Sequence, residues 1–413
     1  MSAPTVPLSA SPSRPLEPGA AAELLPGIDA HPHARAVLLP ALAAQGRPSH
    51  AYLFHGPAGT GKRGVARAFA AALLSDGARS PGTVAERVMR DCHPDLTWVR
   101  PSGAAEMLVA DIEEPVVAAA ARTPFESARR VFVIEGAETM NDQAANRMLK
   151  TLEEPPPFTH LLLLADRRED VLATIVSRCQ QVRFDPLPAA LIAERLAPAA
   201  HTPEGGVGPA RGNDDDYEGD RVFACARLAL GDAGVAARLA SDEGRGLRAR
   251  AEDYVRSALA GATGGRPWLG LLDVAKAAGV AAGESARELT ERELELVPSK
   301  ERKRYEREGG EARRRGERRV RTATLDLGLR LAELWLRDVL CVREGVPELV
   351  YAVDRRAQLE QDAGGADGSG VDTRAVRRGI ELVADTRLSL SVNVSEELAL
   401  EALAYRLQSL LAA

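Results

Sequence analysis

Residues 51–69 read AYLFHGPAGTGKRGVARAF, an apolar, strand-like run that passes through a Gly-rich turn into a helical pattern. Gly56, Gly59 and Gly61 allow a tight turn in which backbone N–H groups can surround phosphate oxygens. The helix that begins near Gly61 adds the partial positive charge of its N-terminus, and Lys62 adds a full charge. Strand, turn and helix in this order are typical of a phosphate-binding loop, which we therefore predict here.

The residue after the lysine departs from that motif. It is normally Ser or Thr, whose hydroxyl binds Mg²⁺, but this chain has Arg63. A guanidinium cannot ligate a cation, so it either repels Mg²⁺ or replaces its charge opposite phosphate. Two interpretations stay open at this point: a loop that binds nucleotide without metal-dependent catalysis, or a loop kept only as a connection between strand and helix.

Composition sets outer limits on the function. The chain of 413 residues is long enough for two or three domains, and 45% hydrophobic with 27% charged residues indicates a globular protein. Its net charge of −6 excludes a global basic field, so any contact with DNA has to be local or shared with partners. No apolar run approaches the ~20 residues of a membrane span. A reducing cytoplasm is expected, without disulfides or zinc, because the four cysteines form no CxxC pair: Cys92, Cys179, Cys225 and Cys341.

The first part of the chain reads as a tail followed by one α/β domain. Residues 1–24 are rich in Pro, Ser and Ala and are predicted to be disordered. Residues 25–185 alternate short apolar strands with amphipathic stretches, which predicts a parallel sheet flanked by helices. Pro186 and Pro188 mark its predicted end. The predicted strands span 51–55, 96–100, 130–134, 160–164 and 181–184, and the clearest helices span 61–74, 112–122 and 142–153.

The remainder is predicted to be helical. Residues 186–255 form a small domain with a flexible loop at 201–220, where Gly, Pro and Asp are frequent. Residues 256–413 form a second helical domain with a charged insert at 284–321. Acids and bases alternate there at spacings of three and four, which favours one long solvated helix with internal ion pairs. The alternative is an arm that contacts DNA, which is less favoured because the interleaved acids cancel much of the field.

A second group of motifs follows the predicted strand at 130–134. It consists of Glu135-Gly136-Ala137-Glu138, then NDQAANRMLKTLEEPP at 141–156, then TIVSRC at 174–179. Together with the phosphate loop, these motifs resemble the bacterial clamp-loader AAA+ subunits, and in particular the delta-prime family of DNA polymerase III. The resemblance covers about residues 25–190.

The resemblance implies a P-loop AAA+ domain followed by a small helical lid and an all-α collar that serves oligomerisation. It implies a cytoplasmic subunit of a ring-like pentamer that opens a sliding clamp and places it on primed DNA. The implied partners are the gamma/tau and delta subunits of the loader, with the clamp and primed DNA contacted indirectly and no membrane.

Departures from the family pattern imply a subunit that does not hydrolyse ATP. Relatives that hydrolyse carry Asp-Glu at the end of the strand, whereas here Glu135 stands at the metal-carboxylate position and Gly136 at that of the general base. Glu138 lies in a different direction and is a poor substitute. Asp166 replaces a hydroxyl residue that senses the γ-phosphate, and Arg238 is an unconvincing stand-in for the nucleotide-contacting arginine of the lid. Without a base to orient water we expect no hydrolysis, and weak or absent binding of ATP or ADP.

One family motif is intact. Arg178, between Ser177 and Cys179, resembles the arginine finger that reaches into a neighbouring subunit's site. A guanidinium suits this role because it is planar, always charged and able to grip phosphate oxygens with two donors. The alternative is that Arg178 caps the strand end or pairs with an acid.

Zinc is not expected. Family members often carry four zinc-binding cysteines between the P-loop helix and the next strand, but residues 75–93 contain only Cys92. One thiol cannot make a four-coordinate site, and we predict that Cys92-His93-Pro94 forms a loop.

The leading hypothesis is therefore a non-hydrolysing, delta-prime-like clamp-loader subunit. The alternatives are an active AAA+ ATPase, either a gamma/tau-like motor or another remodelling ATPase, and a P-loop kinase or another nucleotide-binding enzyme. Positions 63 and 136 argue against the first, and the long helical C-terminal region without a second catalytic cluster argues against the second. The predicted arginine finger is Arg178, and the predicted nucleotide-binding residues are Gly56, Gly59, Thr60, Gly61, Lys62, Arg63 and Glu135.

Overall fold

The computed structural model describes residues 24–43, 46–101, 106–197, 213–294, 302–364, 370–390 and 394–412. The chain divides into two compact units, Met1–Leu187 and Pro188–Ala413. The tail predicted at 1–24 lies outside the described residues except for Leu24. The predicted division of the second unit into a lid and a collar stays a prediction. Across the described segments, no helix is both long and apolar enough to cross a membrane.

A parallel sheet forms the centre of the first unit. Its strands in spatial order are β2, β3, β4, β1 and β5, and every neighbouring pair is parallel. Leu53 in β1 is level with Leu163 in β4 and with Gln181 in β5. This confirms the predicted α/β class. The strands span β1 (Ala51–His55), β2 (Leu96–Val99), β3 (Arg130–Glu135), β4 (Thr159–Ala165) and β5 (Gln180–Arg183).

Helices cover both faces of this sheet, because alternate residues of each buried strand point to opposite sides. One core contains Leu53, Phe132 and Leu163 and packs on the side of the motif helix α5 (Asp142–Glu153). The other contains Tyr52, Phe54 and Phe69 and packs on the side of the P-loop helix. The remaining α-helices described in this unit are α1 (Pro32–Leu42), α2 (Lys62–Ser75), α3 (Pro81–Met89), α4 (Val109–Ile112) and α6 (Ala173–Val176).

The helix predicted at 112–122 differs from the structure at both ends. It begins as α4 at Val109 and continues as a π-helical turn over Glu113–Ala118. Pro115 lies inside this turn and has no N–H to donate, so regular α-helical hydrogen bonding is interrupted there.

The second unit is built from α-helices within its described residues. A single hydrophobic cluster runs from Cys225 to Leu411 and includes the buried Tyr254, Trp268 and Trp335. The buried Arg248 forms a two-pronged ion pair with Asp354, at 2.9 and 2.7 Å. The helices are α7 (Ala189–Leu196), α8 (Asn213–Leu228), α9 (Ala233–Ala240), α10 (Asp242–Leu259), α11 (Trp268–Leu294), α12 (Arg302–Arg343), α13 (Arg356–Gly364), α14 (Thr373–Leu390) and α15 (Glu396–Leu411).

Two predictions about this unit need correction. The loop predicted at 201–220 is helical from Asn213 onward, and its first twelve residues lie outside the described part. The last proline of the segment is Pro209, so Gly219 is the only strong helix-disfavouring residue in 213–220, at a cost of about 1 kcal/mol.

The charged insert at 284–321 is not one helix. Its described residues, 284–294 and 302–321, are shared between the end of α11 and the start of α12, which pack antiparallel: Gly279 and Gly283 lie against Glu317, and Gly309 lies against Thr290. Glycine at these contacts lets the two backbones approach closely, which charge periodicity alone could not indicate.

Candidate functional site

The carboxyl ends of β1, β3 and β4 bring the predicted site residues together. These three strands are neighbours in the sheet, so the P-loop, Glu135 and Asp166 meet at one edge. Gly56, Gly59 and Gly61 have positive φ values of 147°, 68° and 90°. At Gly56, an added Cβ would lie 2.0 Å from the backbone oxygen of Phe184. The loop therefore has the backbone shape expected of a phosphate cradle.

Thr60 stabilises this loop from inside. It is buried, and its hydroxyl donates to the carbonyl of Pro57 at 2.9 Å. Its own carbonyl accepts from Nε2 of the buried His31 at 2.7 Å. The loop is thus fixed to the segment that precedes α1.

Lys62 makes its contacts within the first unit. Its ammonium donates to the carbonyls of Gly56 and Pro57, the latter at 2.8 Å, and pairs with Asp166 at 2.9 Å. Only 8% of the Lys62 side chain is exposed. The charge that the motif provides for phosphate is therefore neutralised by Asp166 and directed into the loop itself.

Arg63 occupies the position opposite the metal carboxylate. Its guanidinium lies 2.6 Å from Glu135, which is buried. The same carboxylate accepts from Nε1 of Trp98 at 2.6 Å and from Nε of Arg100 at 3.3 Å. Protein cations thus neutralise Glu135, so these residues do not fit a Mg²⁺–nucleotide complex. In the part of the chain that the structure describes, no group of three or more His, Cys, Asp or Glu side chains could hold a metal ion.

Gly136, at the position of the general base, has a structural role. Its φ of 70° starts a short 3₁₀ helix, and its carbonyl accepts from both the N–H and the hydroxyl of Thr139. A Cβ there would lie 3.2 Å from Pro101. A carboxylate-bearing residue at this position would therefore be strained.

Glu138 lies nearer the P-loop cations than the sequence indicated. One of its oxygens accepts from the backbone N–H of Asp166 at 3.3 Å, and the other is buried with no hydrogen-bond donor among the described residues. Burial raises the pKa of Glu138. Because Glu138 contacts the loop that carries Asp166, it belongs to the site, although the sequence analysis set this residue aside.

Arg178 links two of the sequence motifs. It is exposed, and its guanidinium pairs with Glu153 at the end of α5, at 2.5 Å. It also donates to the carbonyl of Thr174 at 3.0 Å. The neighbouring Cys179 is buried, which raises the pKa of its thiol to about 12 and leaves it unreactive.

Comparison with known proteins finds similarity over the first unit. A family model described as DNA polymerase III, delta subunit, matches residues 33–188. The DNA polymerase III subunit delta' of Pseudomonas aeruginosa is 38% identical over 154 residues, which is 36% of this chain and 47% of that protein. The subunit delta' of Bacillus subtilis is 35% identical over 156 residues, 36% of this chain and 46% of that protein. The first unit is delta-prime-like: it is similar to the delta-prime subunits of DNA polymerase III.

The match has limits in length. The chain spans about half the length of these delta-prime relatives. The gamma/tau subunit of Mycobacterium tuberculosis is 33% identical over 171 residues, 40% of this chain and 29% of that protein. A solved gamma subunit-related protein of Thermotoga maritima aligns at 16% identity over 87% of this chain and 94% of its own, with a TM-score of only 0.38. The parallel sheet and the helical second unit themselves fit the predicted α/β domain followed by helical domains.

Two further predictions for this delta-prime-like chain concern Arg238 and the segment Cys92-His93, whose surroundings are local. Arg238, the stand-in for a nucleotide-contacting lid arginine, pairs with Glu243 at 3.1 Å and donates to the hydroxyl of Thr324 at 2.7 Å. Cys92 is exposed, whereas His93 is buried and lies 3.0 Å from Glu126. Burial lowers the pKa of His93, so it packs as a neutral ring.

At the phosphate loop, the sequence predicted the positions but not their partners. The sequence marks Arg63, Glu135 and Asp166 as departures from the motif and Lys62 as the lysine of the motif, but it does not indicate that these residues form two ion pairs. The available signal was charge complementarity: each added charge of one sign is matched by one of the other sign at the same edge of the sheet. Trp98 and Arg100 had no motif to mark them.

Proposed function

We propose that this chain is the delta-prime-like subunit of a bacterial DNA polymerase III clamp loader and acts in the cytoplasm. It does not hydrolyse ATP, helps to load the sliding clamp onto primed DNA, and supplies Arg178 in trans to a neighbouring ATPase subunit. Its direct partners are the gamma/tau and delta subunits. The observation that carries the proposal is the Arg63–Glu135 pair at the metal position, in a unit similar to the delta-prime subunits of DNA polymerase III.

The chemistry supports a non-hydrolysing role. Phosphoryl transfer needs a metal that bridges the β- and γ-phosphates and a residue that orients water. Here Arg63 faces the buried Glu135, and Gly136 offers no side chain. Lys62 is paired with Asp166, so a nucleotide would have to compete with that carboxylate. We therefore propose that ATP and ADP bind weakly or not at all.

The contacts of Arg178 suit a side chain that can exchange its own carboxylate partner for a phosphate group in a neighbouring subunit. Its pair with Glu153 is partly exposed, at 35% and 49% of the two side chains. Exposed pairs of this kind contribute about 0–1 kcal/mol, so exchange of Glu153 for a phosphate group costs little. Glu153 would hold the guanidinium in position until a partner's nucleotide replaces it.

The test is clamp- and DNA-stimulated ATP hydrolysis by a loader reconstituted with gamma/tau and delta subunits. In the Arg178→Ala loader, the site that Arg178 serves should slow by about a thousandfold or more, because an arginine finger is worth 10³–10⁵ in rate. The ATP hydrolysis rate of the loader then falls by the whole contribution of that site. Glu153→Ala should retain it, because Arg178 is still present. Arg87→Ala removes another exposed, paired arginine and serves as the control.

Each outcome decides something different. An unchanged rate for assembled Arg178→Ala would leave the chain a purely structural subunit. Failure of the native chain to assemble would contradict the clamp-loader proposal. Hydrolysis by the isolated native chain, lost in Lys62→Ala, would favour the active AAA+ motor instead.

A further inference from the structure

The start of α12 concentrates positive charge in an otherwise acidic chain. Residues 302–321 contain ten Lys and Arg side chains against four Glu, a net charge of +6, although the whole chain has a net charge of −6. The segment lies in the second unit and is packed antiparallel against the end of α11. This local surplus is the kind of field that attracts a polyanion.

Helix geometry arranges part of this charge in a row. Lys303, Arg307, Arg314, Arg318 and Arg321 fall within about 60° of one another on a helix of 3.6 residues per turn and extend over about 27 Å. The first four are exposed. We refer to Lys303, Arg307, Arg314 and Arg318 as the cationic row. No large apolar residue falls on this face between its two ends.

Two of the acids near the row are paired with arginines on other faces. Glu317 pairs with Arg313, and Glu311 pairs more loosely with Arg315 at 3.9 Å. No member of the cationic row forms an ion pair with any carboxylate of the described residues. Glu311 and Glu317 are therefore directed at other arginines, and the row keeps a surplus of positive charge.

The row ends at a cleft of about 660 Å³. Arg314 and Arg318 line it together with Lys276 of α11. Glu396 also lines it and is paired with Arg321. Cations from two elements thus converge there, although the cleft also holds Glu317 and Glu397.

We propose that the cationic row and this cleft bind the phosphate backbone of nucleic acid without reading its sequence. A nucleic acid offers a continuous line of negative charge, one per about 1.7 Å of duplex axis, which matches an extended row of cations. An acidic protein partner fits less well, because protein interfaces bury an apolar centre, whereas the row has no large apolar residue and Val280 and Val394 are the large apolar residues that line the cleft. The inference concerns the chain alone and does not depend on assembly into a loader.

The test is fluorescence anisotropy of the full chain with a labelled mixed-sequence duplex and the matching single strand, as a function of salt. Arg314→Gln/Arg318→Gln removes two cations of the row. Arg315→Gln/Arg319→Gln is the matched control, with the same charge change and spacing moved one residue around the helix. Gln has nearly the helix propensity of Arg, and circular dichroism checks that each variant folds.

Loss of two phosphate contacts should reduce the slope of log affinity against log salt by about 1.8 for duplex, and by about 1.4 for single strand. Affinity at about 0.1 M salt should fall about tenfold in the row variant and less than twofold in the control. Duplex or single-strand preference identifies the form of nucleic acid. Equal losses of affinity in both variants, or no binding of nucleic acid by the native chain, would overturn the proposal. It would also be overturned if the chain bound poly-glutamate but not nucleic acid, and if that binding depended on the row.

Discussion

Lys62 and Arg63 in the first unit, and Arg314 and Arg318 in the second, are all cations in patterns associated with phosphate. Their surroundings differ. Lys62 is paired with Asp166 and Arg63 with Glu135, whereas Arg314 and Arg318 form no ion pair with the described carboxylates. The motif-defined cations are thus neutralised inside the protein, and the cations without a motif are available. A motif tells where a cation stands, but the nearby acids decide whether its charge can act on a ligand.

The largest expected effect is a loss of stability on substitution in the P-loop. It tests whether the loop backbone is constrained although the charges of the loop are neutralised. Gly56→Ala should destabilise the first unit by about 3 kcal/mol or more, because the new Cβ meets the backbone of Phe184 in a conformation unfavourable to side chains. Hydrogen exchange measured by mass spectrometry on peptides of each unit would show it. Gly64→Ala, in α2 with open space around it, should instead stabilise by about 0.5–1 kcal/mol. Similar small effects for both would mean that the loop is not constrained.

The next effect distinguishes the two units by the pH dependence of their stability. Lowering the pH from 7 to 5 should cost the first unit about 2 kcal/mol and affect the second much less. Burial lowers the pKa of His160 to about 4, and it also lowers the pKa of His55. Between pH 6.5 and 4 the unfolded chain therefore binds a proton that the folded chain does not, so stability present above pH 6.5 is lost as the pH falls. Six of the seven histidines precede residue 188, and His201 lies outside the described residues.

Hydrogen exchange at the two pH values, corrected for intrinsic rates, would measure this difference. His160→Gln should remove most of the pH dependence of the first unit. If both units lost the same stability between pH 7 and 5, and His160→Gln lost as much, titration of His160 would not be the cause of the loss.

The smallest expected effect bears most directly on the comparison. Asp166→Ser should raise the affinity for ADP about tenfold, worth about 1.4 kcal/mol, because Lys62 is released from its carboxylate. The stability cost should stay below about 1 kcal/mol, since the Asp166 side chain is 54% exposed. Isothermal titration calorimetry would measure the affinity. Asp185→Ser, which removes another exposed, paired carboxylate, is the control and should change nothing.

The sheet of the first unit was predictable because its signals are local. Buried parallel strands such as 51–55 and 160–164 are apolar runs bounded by turn residues, and the structure places β1 and β4 there. The arrangement of the site was less accessible. Glu135 lies 72 positions from Arg63 in the sequence, and only the strand order brings them together.

The second unit was harder because helical periodicity does not specify packing. The alternating charges at 284–321 predicted one long helix, but they could not indicate that Gly279, Gly283 and Gly309 let two helices pack side by side. Nor could they show which arginine pairs with which acid. That depends on side-chain geometry around the helix, as the difference between Arg315 and Arg314 shows.

The Arg63–Glu135 pair also bears on how this sequence can change. Arg63→Thr alone would restore a hydroxyl but remove a cation from a buried carboxylate, and Gly136→Glu alone would place a side chain at a φ of 70°. On the proposal that this chain does not hydrolyse ATP, neither change would restore hydrolysis without the other and without release of Lys62. If the proposal holds, a gain of ATP hydrolysis would need several coordinated substitutions, and Arg63→Thr and Gly136→Glu would each be unfavourable alone.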